Sequence, residues 1–166
     1  MHRAQAAEIL SLAFAMPAED ALEWLALVGP DGLHTLDDLG LLGVFSTGHW
    51  WGGRPVAGGG VAGVAIAPQH RGRGAASRLL AQMLRAQRQQ GTCLSTLYPA
   101  TEPVYRKAGY ERAGVRYQFD LPLANLPPVR PRAAIEVAGP AALAPLYDRW
   151  AAERDGYLVR GEQMWT

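Results

Sequence analysis

Apolar residues open the chain at helical spacing. Ala6, Ile9, Leu10, Ala13 and Phe14 recur every three or four positions until Pro17 stops the run, which predicts an amphipathic helix. A second helix runs from near Pro17 through Ala21, Leu22, Trp24, Leu25 and Leu27 to a Gly29-Pro30-Asp31-Gly32 turn. The pattern then shortens. Leu33–Leu36 and Leu41–Thr47 read as an antiparallel pair, and the glycine-rich stretch His49–Gly60 as a loop or hairpin tip. Val61–Pro68, VAGVAIAP, carries no charge and fits a strand buried on both faces of a sheet. Leu79, Leu80, Met83 and Leu84 mark a long helix from Ala75 to the glycine at 91. Cys93–Tyr98 reads as a strand, a short helix follows Pro103, and the alternation of Tyr117, Phe119 and Leu121 predicts a further strand.

Leu126–Pro131 holds three prolines and reads as a linker. Beyond it, Ala134–Val137 suits a strand and Ala141–Glu153 a helix. Residues 1–126 are therefore expected to form one α/β (α+β) domain, with no strand ahead of its first helix. Residues 127–166 comprise a linker and the truncated start of a second domain, since so short a segment cannot bury a core of its own.

Charge is segregated along the chain although the net value is only +1. Residues 1–66 carry Glu8, Glu19, Asp20, Glu23, Asp31, Asp37 and Asp38 against Arg3 and Arg54. Residues 67–116 reverse this, with Arg71, Arg73, Arg78, Arg85, Arg88, Arg106, Lys107, Arg112 and Arg116 against Glu102 and Glu111. Nothing in the overall charge draws the chain to nucleic acid or membrane, so the middle segment is where a polyanionic small molecule would sit. The lone cysteine, Cys93, excludes an intrachain disulfide and reads as a packed core thiol in a reducing, cytoplasmic setting. His34, His49 and His70 lack metal-ligand spacing, and no metal is expected.

The densest chemistry lies between Val61 and Leu80: a strand, Pro68, the loop Gln69-His70-Arg71-Gly72-Arg73-Gly74-Ala75-Ala76, then a helix. Gly72 and Gly74 let successive backbone N–H groups turn inward, and the following helix aims its free N–H groups at the same point. Small residues at Ala75, Ala76 and Ser77 keep the first helical turn open. Each helix-terminus contact stabilises an anion by about 0.3–1 kcal/mol, and a charged hydrogen bond from Arg71 or Arg73 by roughly 1.5–3 kcal/mol. A diphosphate suits this cradle. A Walker loop is excluded because no lysine precedes Lys107, and a dinucleotide fingerprint because Ser77 stands where its third glycine belongs.

Arg71-Gly72-Arg73-Gly74-Ala75-Ala76 resembles the R-x-x-G-x-G/A signature of the GNAT superfamily of acyl-CoA N-acyltransferases. WWGGRPVAGGGVAGVAIAPQHRGRG, LYPATEPVYRKAGYERAG and the tail from Gly156 to Trp165 resemble the enhanced intracellular survival acetyltransferases within it. The resemblance implies the GNAT fold: a mixed central sheet with two splayed parallel strands and flanking helices, followed by the start of a second GNAT-like domain. It implies acetyl-CoA as co-substrate. Its pantetheine would pair with the backbone of Val64, Ala65 and Ile66, its pyrophosphate would sit on Gly72 to Ser77 between Arg71 and Arg73, and its acyl end would lie near Ala100 and Thr101. Tyr105 falls where the family places its general acid, with Tyr98 and Tyr110 as rivals. A phenol of pKa about 10 can protonate a departing thiolate whose conjugate acid is near 8.5.

The acceptor implied is an amine, either a small molecule such as an aminoglycoside or polyamine, or a peptide lysine. Glu23, Trp24, Trp50 and Trp51 are the candidate acceptor-site residues. The family takes its general base from the C-terminal carboxylate of a third domain and assembles as a homo-oligomer, a hexamer. The same cradle would also serve a non-catalytic acyl-CoA-binding or assembly domain.

Overall fold

The computed structural model describes residues 1–128, 134 and 136–165. Helices α1 (Arg3–Phe14) and α2 (Ala18–Gly32) precede β1 (Leu33–Leu36), β2 (Gly40–Trp51) and β3 (Arg54–Ile66). Then come α3 (Ala75–Gln89), β4 (Leu94–Leu97), α4 (Glu102–Lys107), α5 (Pro140–Ala152) and β5 (Leu158–Val159). The strands form one mixed sheet in the order β1-β2-β3-β4. Its first three strands are antiparallel, and β4 runs parallel to β3.

Alternation along the strands divides the core into two layers. Leu41, Ala65 and Ala67 pack with Ala6, Ile9, Leu10, Ala21 and Leu25 beneath α1 and α2. Leu42 and Val61 pack with Leu79, Leu80, Met83 and Tyr105 beneath α3 and α4, where Val64 and Ile66 join them. Neighbouring residues at the end of β3 are thus anchored in opposite layers.

The stretch read as a loop or hairpin tip, 49–60, is the tip of a long hairpin: it ends β2, turns, and begins β3. Gly52 and Gly53 both have positive φ, +56° and +74°, and make the two-residue turn between Trp51 and Arg54. Gly58, Gly59 and Gly60 lie within β3; at Gly59 the Gln87 side chain occupies the place a Cβ would take, and His49 lies against Gly58. Val61–Ile66 is also less enclosed than expected, with only Val61 and Ala65 fully buried.

The strand expected at Tyr117–Leu121 does not form. An alternating pattern needs a partner backbone, and among the described residues none lies beside it; Phe119 is 85% exposed. Of the expected strand at Ala134–Val137, Ile135 lies outside the described residues and Ala134, Glu136 and Val137 are not in a strand. The expected linker is described only as far as Pro128. Cys93 sits one residue ahead of β4 with an exposed thiol, not in the core. Residues 140–165 return to the sheet. β5 pairs with β2 at Gly48 and His49, and the Trp50 N–H donates to Tyr157 O at 2.8 Å while Gly156 N–H donates to Trp50 O at 2.8 Å.

Candidate functional site

The site begins where β3 and β4 part. Their parallel pairing covers Gly58–Val61 against Leu94–Leu97 and stops there, so among the described residues the β4-facing edge of Ala62–Ile66 has no strand beside it. A β-bulge starts the divergence. Gly63 and Val64 together oppose the single residue Leu42, and Gly63 holds φ +60°, which favours glycine. On its other edge β3 stays fixed by the pairs Ala65–Leu41 and Ile66–Gly40 and by the Ala67 N–H donating to Leu39 O at 2.9 Å.

The chain then turns through a short 3-10 segment, Pro68–His70, into the glycine loop. Arg71 Nε donates to Ile66 O at 3.1 Å, tying the loop back to the strand end. Gly72 and Gly74 have φ of +75° and +74°, with open space where a Cβ would project. Gly74 is the N-cap of α3 and supplies no side chain to its first turn, so the leading N–H groups of that helix remain available to an anion. A cavity of about 300 Å³ lies there, lined by Ile66, Arg71, Gly72, Gly74, Ala75, Ala76 and Ser77, with Val104 and Lys107 facing them from α4. Arg73 is exposed and is not among the lining residues. Val104 and Lys107 were not singled out from the sequence. Their i, i+3 spacing on a helix of basic C-terminus was the available signal.

Tyr105 occupies a different face of α4. It is only 9% exposed and packs in the cluster that contains Val61, the last residue of β3 to pair with β4. Burial pushes its phenol above the ordinary tyrosine value. A groove of about 800 Å³ runs past it, lined by β4, by Tyr98, Pro99 and Ala100 at the end of that strand, and by Tyr110 to Arg116. Thr101 is the N-cap of α4 and makes no side-chain cap bond. Tyr98 is 75% exposed, and Tyr110 is bonded to Ser95. The ion pairs Arg106–Glu111 and Arg112–Glu102 hold the chain after α4 against that helix. Both pairs are exposed and screened by solvent, so they add little to stability.

The cradle residues and the β3 edge are therefore contiguous, and Tyr105 joins them through α4. The four acceptor-site candidates are not gathered in this way. The Trp24 ring packs over Gly43 and Gly63, and Glu23 is exposed on α2. Trp50 and Trp51 lie at the far hairpin tip, seven to eight residues along β2 from Gly43 and so about 20–25 Å away. Among the described residues no group of three or more His, Cys, Asp or Glu is placed to hold a metal ion, and no helix is long and apolar enough to cross a membrane.

A bulged strand diverging from its parallel neighbour, followed by a glycine loop at an open helix N-terminus, is the arrangement that the resemblance to the GNAT superfamily implies. Residues 39–113 match the family model described as acetyltransferase (GNAT) domain. It is similar to the solved GCN5-related N-acetyltransferase of Anabaena variabilis, with 32% identity and a TM-score of 0.76 over 97% of this chain and 43% of that one. It is also similar to a GCN5-related N-acetyltransferase of Kribbella flavida, at 31% identity and TM-score 0.52 over 62% of this chain and 29% of that one. Eis1 from Mycobacterium abscessus shares the fold at 21% identity and TM-score 0.69, over 97% of this chain and 42% of that protein. The chain thus spans less than half the length of these relatives. No curated protein matches the sequence.

Proposed function

We propose that this chain is the acetyl-CoA-binding part of an N-acetyltransferase that passes an acetyl group directly to an amine. The observation that carries the reading is the unpaired edge of Ala62–Ile66 running into the Gly72–Ser77 cradle. Pantetheine is an extended chain with two amides, and a strand edge of free N–H and C=O groups is its complement. The diphosphate needs inward N–H groups and cations, which Gly72 to Ser77, Arg71 and Lys107 supply.

In the reaction the amine nitrogen attacks the thioester carbonyl carbon, the carbon–sulfur bond breaks and an amide forms. The leaving sulfur takes a proton, and the attacking nitrogen gives one up. Tyr105 is the proposed donor to sulfur. Burial raises its pKa, which makes full transfer to a free thiolate uphill. The phenol therefore acts chiefly as a hydrogen-bond donor as the bond breaks, and the proton that sulfur takes balances the one that nitrogen gives up to the base. Acceptance of an aminoglycoside, polyamine or lysine amine, a base from outside this chain, and hexameric assembly are proposals that rest on the resemblance to the enhanced intracellular survival acetyltransferases. The test is thiol release from acetyl-CoA by the chain and by the longer protein across these three amine classes. Transfer to none of them by the longer protein, with acetyl-CoA still bound, would replace the enzyme by a non-catalytic acyl-CoA-binding domain.

A further inference from the structure

Trp24 lies in the α1–α2 layer, against the β3 bulge. A methyl group built on Gly63 would fall 2.5 Å from both Cη2 and Cζ2 of the Trp24 ring, and one on Gly43 would fall 2.6 Å from Cη2. The ring thus rests directly on the backbone of both strands, and glycine is required at each position to admit it. Gly43 and Ala62 are register partners, so the contact falls at the point where the β2–β3 ladder goes out of step. The Phe45 ring meets Trp24 edge to face, at 6.3 Å between centroids and 85° between planes, and blocks sideways movement. Val28, one turn further along α2, closes on Gly43 from the same helix.

We infer that Trp24 is a positioning residue: a clamp from α2 that holds the Gly63 bulge and so fixes the direction of the open Val64–Ile66 edge. Gly63 gives the bulge no side chain on the α2 face, and among the described residues the β4 side of the strand is unpaired from Ala62 onward. Pressure from the ring on one face, against the α3 layer that receives Val64 and Ile66 on the other, leaves one conformation. The role of the clamp in coenzyme binding rests on the function proposed above. The clamp itself does not.

The test separates the two. Amide hydrogen exchange is measured on the full chain, with Trp24→Leu, Trp24→Phe and Gly63→Ala compared with the wild type, and Trp150→Leu on α5 as the same deletion far from the bulge. The expected result for Trp24→Leu is exchange at least tenfold faster at Gly63–Ile66 than in the wild type, with Val56–Val61 changed less than threefold and Trp24→Phe close to wild type. Gly63→Ala should show the same local pattern, and should perturb less when combined with Trp24→Leu, because the ring it collides with is gone. Acetyl-CoA affinity should fall about tenfold in Trp24→Leu and stay unchanged in Trp150→Leu. Uniform acceleration along β3, or none, overturns the clamp. Local acceleration with unchanged affinity keeps the clamp and overturns its part in coenzyme binding. A wild-type chain that binds no acetyl-CoA overturns the proposed function, while the exchange pattern still decides the clamp.

Discussion

The Tyr110 hydroxyl lies 2.6 Å from the Ser95 hydroxyl on β4, while its ring meets that of Tyr105 edge to face at 6.2 Å between centroids. The bond commits Tyr110 to holding the chain after α4 on the sheet, whereas Tyr105 is packed by its ring and its hydroxyl has no hydrogen-bond partner among the described residues. Burial raises both phenols, and at Tyr110 the Ser95 bond works against that rise.

The two tyrosines should separate on substitution. Tyr105→Phe is expected to lower the acetyl-transfer rate of the longer protein about 100-fold or more with acetyl-CoA affinity unchanged. Tyr110→Phe should cost about 1 kcal/mol of stability through the lost bond and leave most of the rate. Because Tyr105 is raised, it stays protonated up to and beyond about pH 10. The alkaline fall of the pH–rate profile that belongs to it therefore lies above that value. Stopped-assay rates from pH 6 to 11, with thermal melts of both variants, check this.

Gly74→Ala should act through the backbone alone. Open space surrounds the site of its Cβ, so no clash arises, but φ of +74° costs an alanine about 1–2 kcal/mol. The expected outcome is a melting temperature lowered by roughly 2–8 °C. Loss of the preset N-cap turn should also weaken acetyl-CoA binding about tenfold, measured by calorimetry.

Lys107→Met should weaken acetyl-CoA and coenzyme A alike. The lysine faces the α3 N-terminus across the smaller cavity but is largely exposed, so a loss of about five- to tenfold is expected, less than a buried charged hydrogen bond would give. The loss should shrink as salt rises from low to physiological ionic strength. An affinity that ignores both the substitution and the salt would place the phosphates elsewhere.

His34 and His49 give the fold an acid-sensitive side. Burial lowers both pKa values in the folded chain. Below the unfolded value of about 6.5 the unfolded state binds protons that the folded state refuses. Stability should therefore hold above that pH and be lost as pH falls from it toward the lowered folded values. Melting temperatures between pH 7.5 and 5 should decline, and the decline should be shallower in a His34→Gln, His49→Gln double variant.

Much of this arrangement was legible in the chain. Helical periodicity gave α1, α2 and α3, and Gly72, Gly74 and the small residues after them gave the cradle, because turn chemistry and helix N-termini are local. The hairpin tip is legible as one of two readings, but the length of the hairpin is not. Gly58, Gly59 and Gly60 look like a loop until Gln87, distant in sequence, is seen packed on Gly59. The basic segment includes Lys107, but its place opposite the cradle is not legible, because only the fold brings α4 over the start of α3. Tyr117, Phe119 and Leu121 misled in the opposite direction, since alternation records a strand's faces and not whether another backbone is present to pair with it. Trp24 was read as an acceptor-site residue because its contact with Gly43 and Gly63 spans three elements that no local window covers.

The claim that the rest depends on is that the backbone from Ile66 to Ser77 holds the diphosphate of an acyl-coenzyme. Calorimetric titration of the 166-residue chain with acetyl-CoA, set beside S-acetylpantetheine, which has the same thioester arm and no diphosphate, tests it most directly. Saturable binding of acetyl-CoA, at least tenfold tighter than that of S-acetylpantetheine, is the predicted result. Equal affinity for the two, or no heat with acetyl-CoA from folded protein, would contradict it.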